Sequence, residues 1–210
     1  MLEALRLFWH RRQTRRKMNR VFGRGKDPYA YAKSPYELDR LNGMARALGP
    51  GPFKHALEIG SAEGAFTLRL AAVSKRVTGL ELSEIALRRS REALSAAENV
   101  DFFEADVRTW APPEEGGFDV IVLGDVLYYM DKPLVRDEFE KLFPRLAGWL
   151  SNGGRILLAH GFAGDAERIL RRGYRERFEA LGLGLLSESV LGKAEKEGDV
   201  CCLVSLLEKR

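Results

Sequence analysis

Cysteine, histidine and long apolar runs are all scarce in this 210-residue chain. The only two cysteines, Cys201 and Cys202, are adjacent in an expected strand, so their side chains point to opposite faces. That excludes a disulfide framework and a CxxC metal site, and it makes a reducing cytoplasm the expected address. No cluster of His, Cys, Asp and Glu has metal-ligand spacing, and no metal is expected. No run approaches the roughly 18 consecutive apolar residues of a membrane span, which excludes a transmembrane segment. The leading residues, MLEALRLFWHRRQTRRK, put basic residues after apolar ones, the reverse of a secretory signal. Internal repeats and low-complexity tracts are also missing. The chain is otherwise globular in composition, 45% hydrophobic and 30% charged, which at this length suits one domain with a substantial core.

The net charge of +4 is unevenly divided. Residues 1–26 hold nine cations (Arg6, Arg11, Arg12, Arg15, Arg16, Lys17, Arg20, Arg24, Lys26) and one acid, Glu3, a charge of +8. The remaining 25 basic and 29 acidic residues leave −4. Such a leader can meet nucleic acid, anionic lipid, an acidic partner or a second subunit; the alternative is a solvated, frayed terminus. Within it, Leu2, Leu5, Phe8 and Trp9 fall near one helical face, which suits a membrane surface or packing against its own domain or a second subunit. The expected organisation is a basic segment or lid over 1–33 and a folded domain over 34–210.

Beyond the leader, strands and helices alternate. Ser34-Pro35-Tyr36-Glu37 combines an N-cap, a first-turn proline and a capping-box glutamate, opening a helix to Leu48 that stops at Gly49-Pro50-Gly51-Pro52. Strands are expected at 55–59, 76–80, 100–104, 118–123 and 155–159. Helices are expected at 65–73, 83–96, 133–150 and 166–181, with a turn at 151–154. Two closing strands, 185–191 and 200–207, flank a polar loop at 192–199 and suggest an antiparallel hairpin. The fold expected is α/β: a doubly wound, Rossmann-like, mainly parallel seven-stranded sheet with a reversed last strand and an N-terminal helical appendage.

The stretch Leu57-Glu58-Ile59-Gly60-Ser61-Ala62-Glu63-Gly64 runs from a strand into a helix at the carboxyl edge of the sheet, where doubly wound folds bind ligands. Its G-x-x-x-G spacing is neither the dinucleotide G-x-G-x-x-G nor a phosphate-cradling P-loop. Glu81 ends the next strand, where a carboxylate can accept both hydroxyls of a ribose. Asp106 follows the third strand in Phe103-Glu104-Ala105-Asp106-Val107 and can meet an adenine amino group, cap the turn at 107–110, or do both. Three features at consecutive strand ends converge on one adenosine-shaped ligand.

Glu58-x-Gly60-x-x-x-Gly64, Glu81 and Asp106 resemble the cofactor motifs of class I methyltransferases over residues 34–208. The resemblance implies S-adenosyl-L-methionine as cofactor. Gly60, Ser61, Ala62 and Gly64 would line its methionine portion, with Glu58 ordering the loop from behind. Glu81 would take the ribose, Leu82 would pack on the adenine, and Ala105, Asp106 and the Val107 backbone would meet the adenine edge. Asp27-Pro28-Tyr29, Ser34-Pro35-Tyr36-Glu37-x-x-Arg40 and Gly124-Asp125-Val126-Leu127-Tyr128-Tyr129 further resemble the nodulation-factor N-methyltransferases, the NodS group. Those enzymes methylate an amino group on a glucosamine oligosaccharide, so the resemblance implies a small-molecule amine acceptor. That group commonly has Trp where Tyr29 stands and Ser-Glu where Gly124-Asp125 stand, which changes carboxylate reach beside the acceptor; the long basic leader is another departure.

Methyl transfer from a sulfonium needs alignment more than covalent help, and an amine acceptor must first lose a proton. Asp125 can face the methyl group as a base or solvate its loop. Tyr128 and Tyr129 can shape the acceptor pocket. His160, at the end of the fifth strand, is a general base or a hydrogen-bonded structural residue. Arg40 pairs with the cofactor's carboxylate or lies on a helix surface. Small-molecule O-methylation, RNA methylation through the basic leader, and ligand binding without catalysis are the competing readings.

Overall fold

The computed structural model describes residues 2–113, 117–193 and 198–210. After a leading helix α1 (Leu2–Gly23), the chain forms α2 (Pro35–Leu48), β1 (Phe53–Ile59), α3 (Thr67–Val73), β2 (Ser74–Glu81), α4 (Glu84–Ala93) and β3 (Val100–Glu104). Then come β4 (Phe118–Gly124), α5 (Leu127–Met130), a 3-10 turn (Pro133–Val135), α6 (Arg136–Trp149), β5 (Leu150–Phe162), α7 (Gly164–Glu179), β6 (Leu183–Leu191) and β7 (Cys201–Lys209). The seven strands form one sheet in the order β3-β2-β1-β4-β5-β7-β6, with β7 antiparallel to both its neighbours. The order reverses between β1 and β4, and that switch point lies beside the glycine loop.

Strand alternation splits the core in two. On β4, Ile121 and Leu123 face Phe139, Leu142 and Leu146 of α6, while Val120 and Val122 face Leu41, Met44 and Leu48 of α2. All four β4 residues are fully buried, which is why this strand reads as continuously apolar. The two serine caps form, Ser34 Oγ accepting from Glu37 N and Ser83 Oγ from Ala86 N at 3.4 and 3.3 Å. The return bond of the expected capping box does not form, since Ser34 N donates to Ala30 O and the Glu37 carboxylate takes Arg40.

Three expectations need correction. The helix expected over 133–150 divides into the 3-10 turn and α6, because Val135 leaves helical geometry (φ −128°, ψ 28°) as it buries its side chain. The turn expected at 151–154 is a bulge inside β5: Phe118 pairs with Leu150 but Val120 with Arg155, and Gly153 absorbs the excess at φ +72°. The basic leader is a helix packed on α4 and the 3-10 turn, not a frayed terminus. It buries Leu7, His10, Met18 and Phe22, while Leu2, Leu5, Phe8 and Trp9 lie exposed on the other side, so of the alternatives open for that stripe, packing against its own domain is the one the structure removes. Of the polar loop expected at 192–199, residues 194–197 lie outside the described part of the chain. Among the described residues, no helix is long and apolar enough to cross a membrane.

Candidate functional site

The first three strands end at one place. Gly60 N and Ser61 N both donate to Leu80 O at 2.8 and 3.1 Å, tying the turn after β1 to the tip of β2. Gly60 adopts φ +78°, and a Cβ there would approach Val126 Cγ2 to 3.2 Å, so both conformation and space demand glycine. At the β2 tip, Glu81 Oε1 accepts from Leu82 N and Ser83 N, and Oε2 accepts from Ala62 N, at 2.7 to 2.9 Å. Burial raises its pKa and the three amides oppose that. A carboxylate has about four acceptor sites, so Glu81 keeps capacity for a donor in the cavity it lines.

Asp106, after β3, departs from the picture of a carboxylate free to read an adenine edge. Its Oδ1 accepts from Arg108 N and Nε at 3.0 Å, and its Oδ2 from Arg108 Nη2 at 2.6 Å. Burial opposes its ionisation, yet Arg108 holds it below the usual carboxylate range. Oδ1 on Arg108 N is the side-chain cap expected for this turn, and the Asp106 carbonyl adds bonds from Thr109 N and Trp110 N. Arg108 reaches on to His10 Nδ1 of α1 at 3.1 Å, and burial, then Arg108, lower the pKa of that imidazole.

Across the cavity, Asp125 follows β4 at φ +50°. Its Oδ1 accepts from Gly161 N at 2.7 Å and its Oδ2 meets Arg40 Nη1 at 3.2 Å. Arg40 is 4% exposed and also donates from Nε and Nη2 to Glu37 Oε2, both at 2.8 Å. Burial raises Glu37 and Arg40 opposes the rise. Tyr128 lies under the Arg171 guanidinium at 4.8 Å, and its pKa is raised by burial first and Asp125 second. Burial likewise raises Tyr29 and Tyr31 on the same wall, so these phenols serve as neutral donors.

Gly60, Ala62, Glu81, Leu82, Ala105, Asp106, Val107, Arg40, Asp125 and Tyr128 therefore line one cavity of about 400 Å³. Four sequence-predicted residues stand behind its wall. Glu58 is buried, accepts from Thr67 Oγ1, and is pushed up to about 8, chiefly by burial. Ser61 is buried with no Oγ partner among the described residues. Gly64 turns the loop at φ +87°, against Leu94. His160 is 1% exposed and edge-on to Tyr128; its Nε2 accepts from Leu127 N at 3.4 Å. Burial, then Arg171 and Arg40, lower its pKa to about 3. It supports Tyr128 from behind and does not reach the cavity as a base. Sequence reasoning missed Thr14, Met18 and Phe22 of α1, and also Arg108, Glu167 and Arg171, all of which line the cavity. The three- and four-residue spacing from Leu7 through Phe22 was the available signal for α1.

This sheet order, with its reversed last strand and a cavity at the tips of β1 to β4, is the class I methyltransferase fold. A solved structure of the N-methyltransferase NodS from Bradyrhizobium japonicum, in complex with S-adenosyl-L-homocysteine, superposes with a TM-score of 0.76 at 24% identity, covering 93% of this chain and 98% of that one. The chain belongs to the Nodulation protein S (NodS) family, whose sequence model matches residues 14–148. Nodulation protein S of Azorhizobium caulinodans is 31% identical over 169 residues, 79% of this chain and 75% of that protein. The Sinorhizobium fredii protein of the same name is 35% identical over 123 residues, 58% of this chain. The chain spans about half the length of several curated relatives, namely 56%, 56% and 49% of three of them.

Proposed function

We propose that this protein is an S-adenosylmethionine-dependent methyltransferase that N-methylates a small amine of the amino-sugar class by direct in-line transfer. One observation carries the reading: Gly60, Glu81 and Asp106, from three consecutive strand tips, share a cavity with an end lined by Asp125, Glu37 and tyrosines. The donor set fits the cofactor. The glycine turn lets backbone approach it closely, Glu81 keeps acceptor capacity for ribose hydroxyls, and Leu82 and Val107 offer apolar flanks to a base. When bound, S-adenosylmethionine supplies a methyl group already activated by a sulfonium.

The chain's own work is alignment and proton handling. Asp125, held by Arg40 and Gly161 N, is the carboxylate poised to take a proton from an ammonium acceptor. Tyr29 and Tyr128 donate hydrogen bonds and offer flat apolar faces, as a hydroxyl-rich ring would require. The named N-methyltransferase relative with bound S-adenosylhomocysteine supports both the cofactor and the choice of nitrogen.

The test is a methyl-transfer assay read by mass spectrometry, using chito-oligosaccharides with and without a free amine alongside matched hydroxyl acceptors. We expect one methyl on the free-amine sugar and none on its N-acetylated form. Transfer confined to hydroxyl acceptors would overturn the N-methyl reading. Tight S-adenosylhomocysteine binding with no transfer to any acceptor would favour a ligand-binding role instead.

A further inference from the structure

The helix α1 presents two different faces. Its inner side contributes Thr14, Met18 and Phe22 to the cavity wall. On its outer side, Leu2, Leu5, Trp9, Arg12, Arg16 and Arg20 recur at intervals of three and four and so form one row, and all six are exposed. The row is sorted along its length: Leu2, Leu5 and Trp9, with Phe8 beside them, occupy the first half at 49 to 69% exposure, and arginines occupy the second. Four large apolar side chains on adjacent turns exceed the scatter of single exposed residues on a surface. The +8 of residues 1–26 stands against −4 for the rest of the chain.

We propose that the outer face of α1 docks the protein on an anionic lipid surface. Leu2, Leu5, Phe8 and Trp9 enter the boundary between headgroups and acyl chains, and Arg12, Arg16 and Arg20 meet lipid phosphates. The charge and its arrangement favour this occupant. A second copy docked through the same face would set cation against cation. A nucleic acid would match the arginines and leave Leu2 and Leu5 without a partner. Docking in this pose brings the cavity, through the inner face of the same helix, next to the lipid surface. The proposal is independent of the reaction the cavity performs.

The experiment is co-sedimentation of the full chain with vesicles of phosphatidylcholine mixed with phosphatidylglycerol, compared with phosphatidylcholine alone. We expect about tenfold or stronger binding to the anionic vesicles, weakening as salt is raised. The variants Leu5→Ser/Trp9→Ser and Arg12→Gln/Arg16→Gln/Arg20→Gln should each lose about tenfold or more, with circular dichroism and S-adenosylhomocysteine binding unchanged. In the unaltered chain, lipids brominated near the headgroup should quench Trp9 fluorescence. Equal binding to both vesicle types, full binding by either variant, or no quenching overturns the proposal. Two other results overturn it as well: RNA binding at least as strong as vesicle binding that Leu5→Ser/Trp9→Ser leaves intact, or a dimer that the same variant dissociates.

Discussion

Asp106 and Asp125 are both strand-tip aspartates, but their partners differ. Asp106 is locked to Arg108 with both side chains almost fully buried, so Asp106→Ala leaves an unpaired guanidinium inside the protein. We expect a stability loss of about 3–5 kcal/mol in urea melts, together with weaker S-adenosylhomocysteine binding. Full stability in that variant would show that Arg108 finds water or another partner. Asp125 is 30% exposed at its side chain and reaches the cavity, and Asp125→Asn keeps an acceptor for Gly161 N. Cofactor affinity should therefore hold within about twofold while the turnover number falls about tenfold or more. Unchanged turnover would reduce Asp125 to a brace for Arg40. The position of each residue at a strand end was legible in the sequence. Arg108 closing on Asp106 was not, because a guanidinium two residues along can turn toward its neighbour or toward water, and packing under α1 decides which.

At the scale of elements, β4 was legible because a parallel strand buried on both faces reads as an apolar run, and α2 because Ser34, Pro35 and Glu37 all mark its start. The orientation of the leading helix was left open for the opposite reason. Its inner row is a mixture, Leu7, His10, Thr14, Met18 and Phe22, while its outer row begins with the conspicuous Leu2, Leu5, Phe8 and Trp9. Composition alone thus does not decide which face turns inward. The glycine turn, by contrast, was legible and can be tested. Gly64 has φ +87°, and an added Cβ would meet Leu94 Cδ1 at 2.6 Å. Gly64→Ala should cost about 1–3 kcal/mol in denaturant midpoints, because it imposes backbone strain and crowds a buried leucine. Since Gly64 stands behind the cavity wall, the folded variant should still bind S-adenosylhomocysteine within a few fold. A large affinity loss at full stability would mean that Gly64 touches the ligand directly.

At the scale of the whole molecule, two buried neutral groups shape stability against pH from opposite sides. Burial raises Glu58 from 4.5 to about 8 and lowers His160 from 6.5 to about 3. The stability Glu58 contributes is complete below 4.5 and is lost as pH rises to 8, since the unfolded chain releases a proton that the fold retains. The stability His160 contributes is complete above 6.5 and is lost as pH falls to 3, since the unfolded chain gains a proton that the fold excludes. Each slope is at most about 1.4 kcal/mol per pH unit. Between 4.5 and 6.5 the two oppose each other, leaving the pair's joint contribution flat there and falling on either side. Single variants separate the limbs without requiring that other carboxylates be silent. The difference between wild type and Glu58→Gln should change with pH up to about 8 and then level off; that for His160→Gln should change only below 6.5. Chemical denaturation across this range measures both. A Glu58→Gln difference that stays constant from pH 5 to 8 would mean the carboxyl behind the glycine turn is ionised in the fold, and the turn would then be held by a buried charge (roughly one unit) in place of a neutral acid.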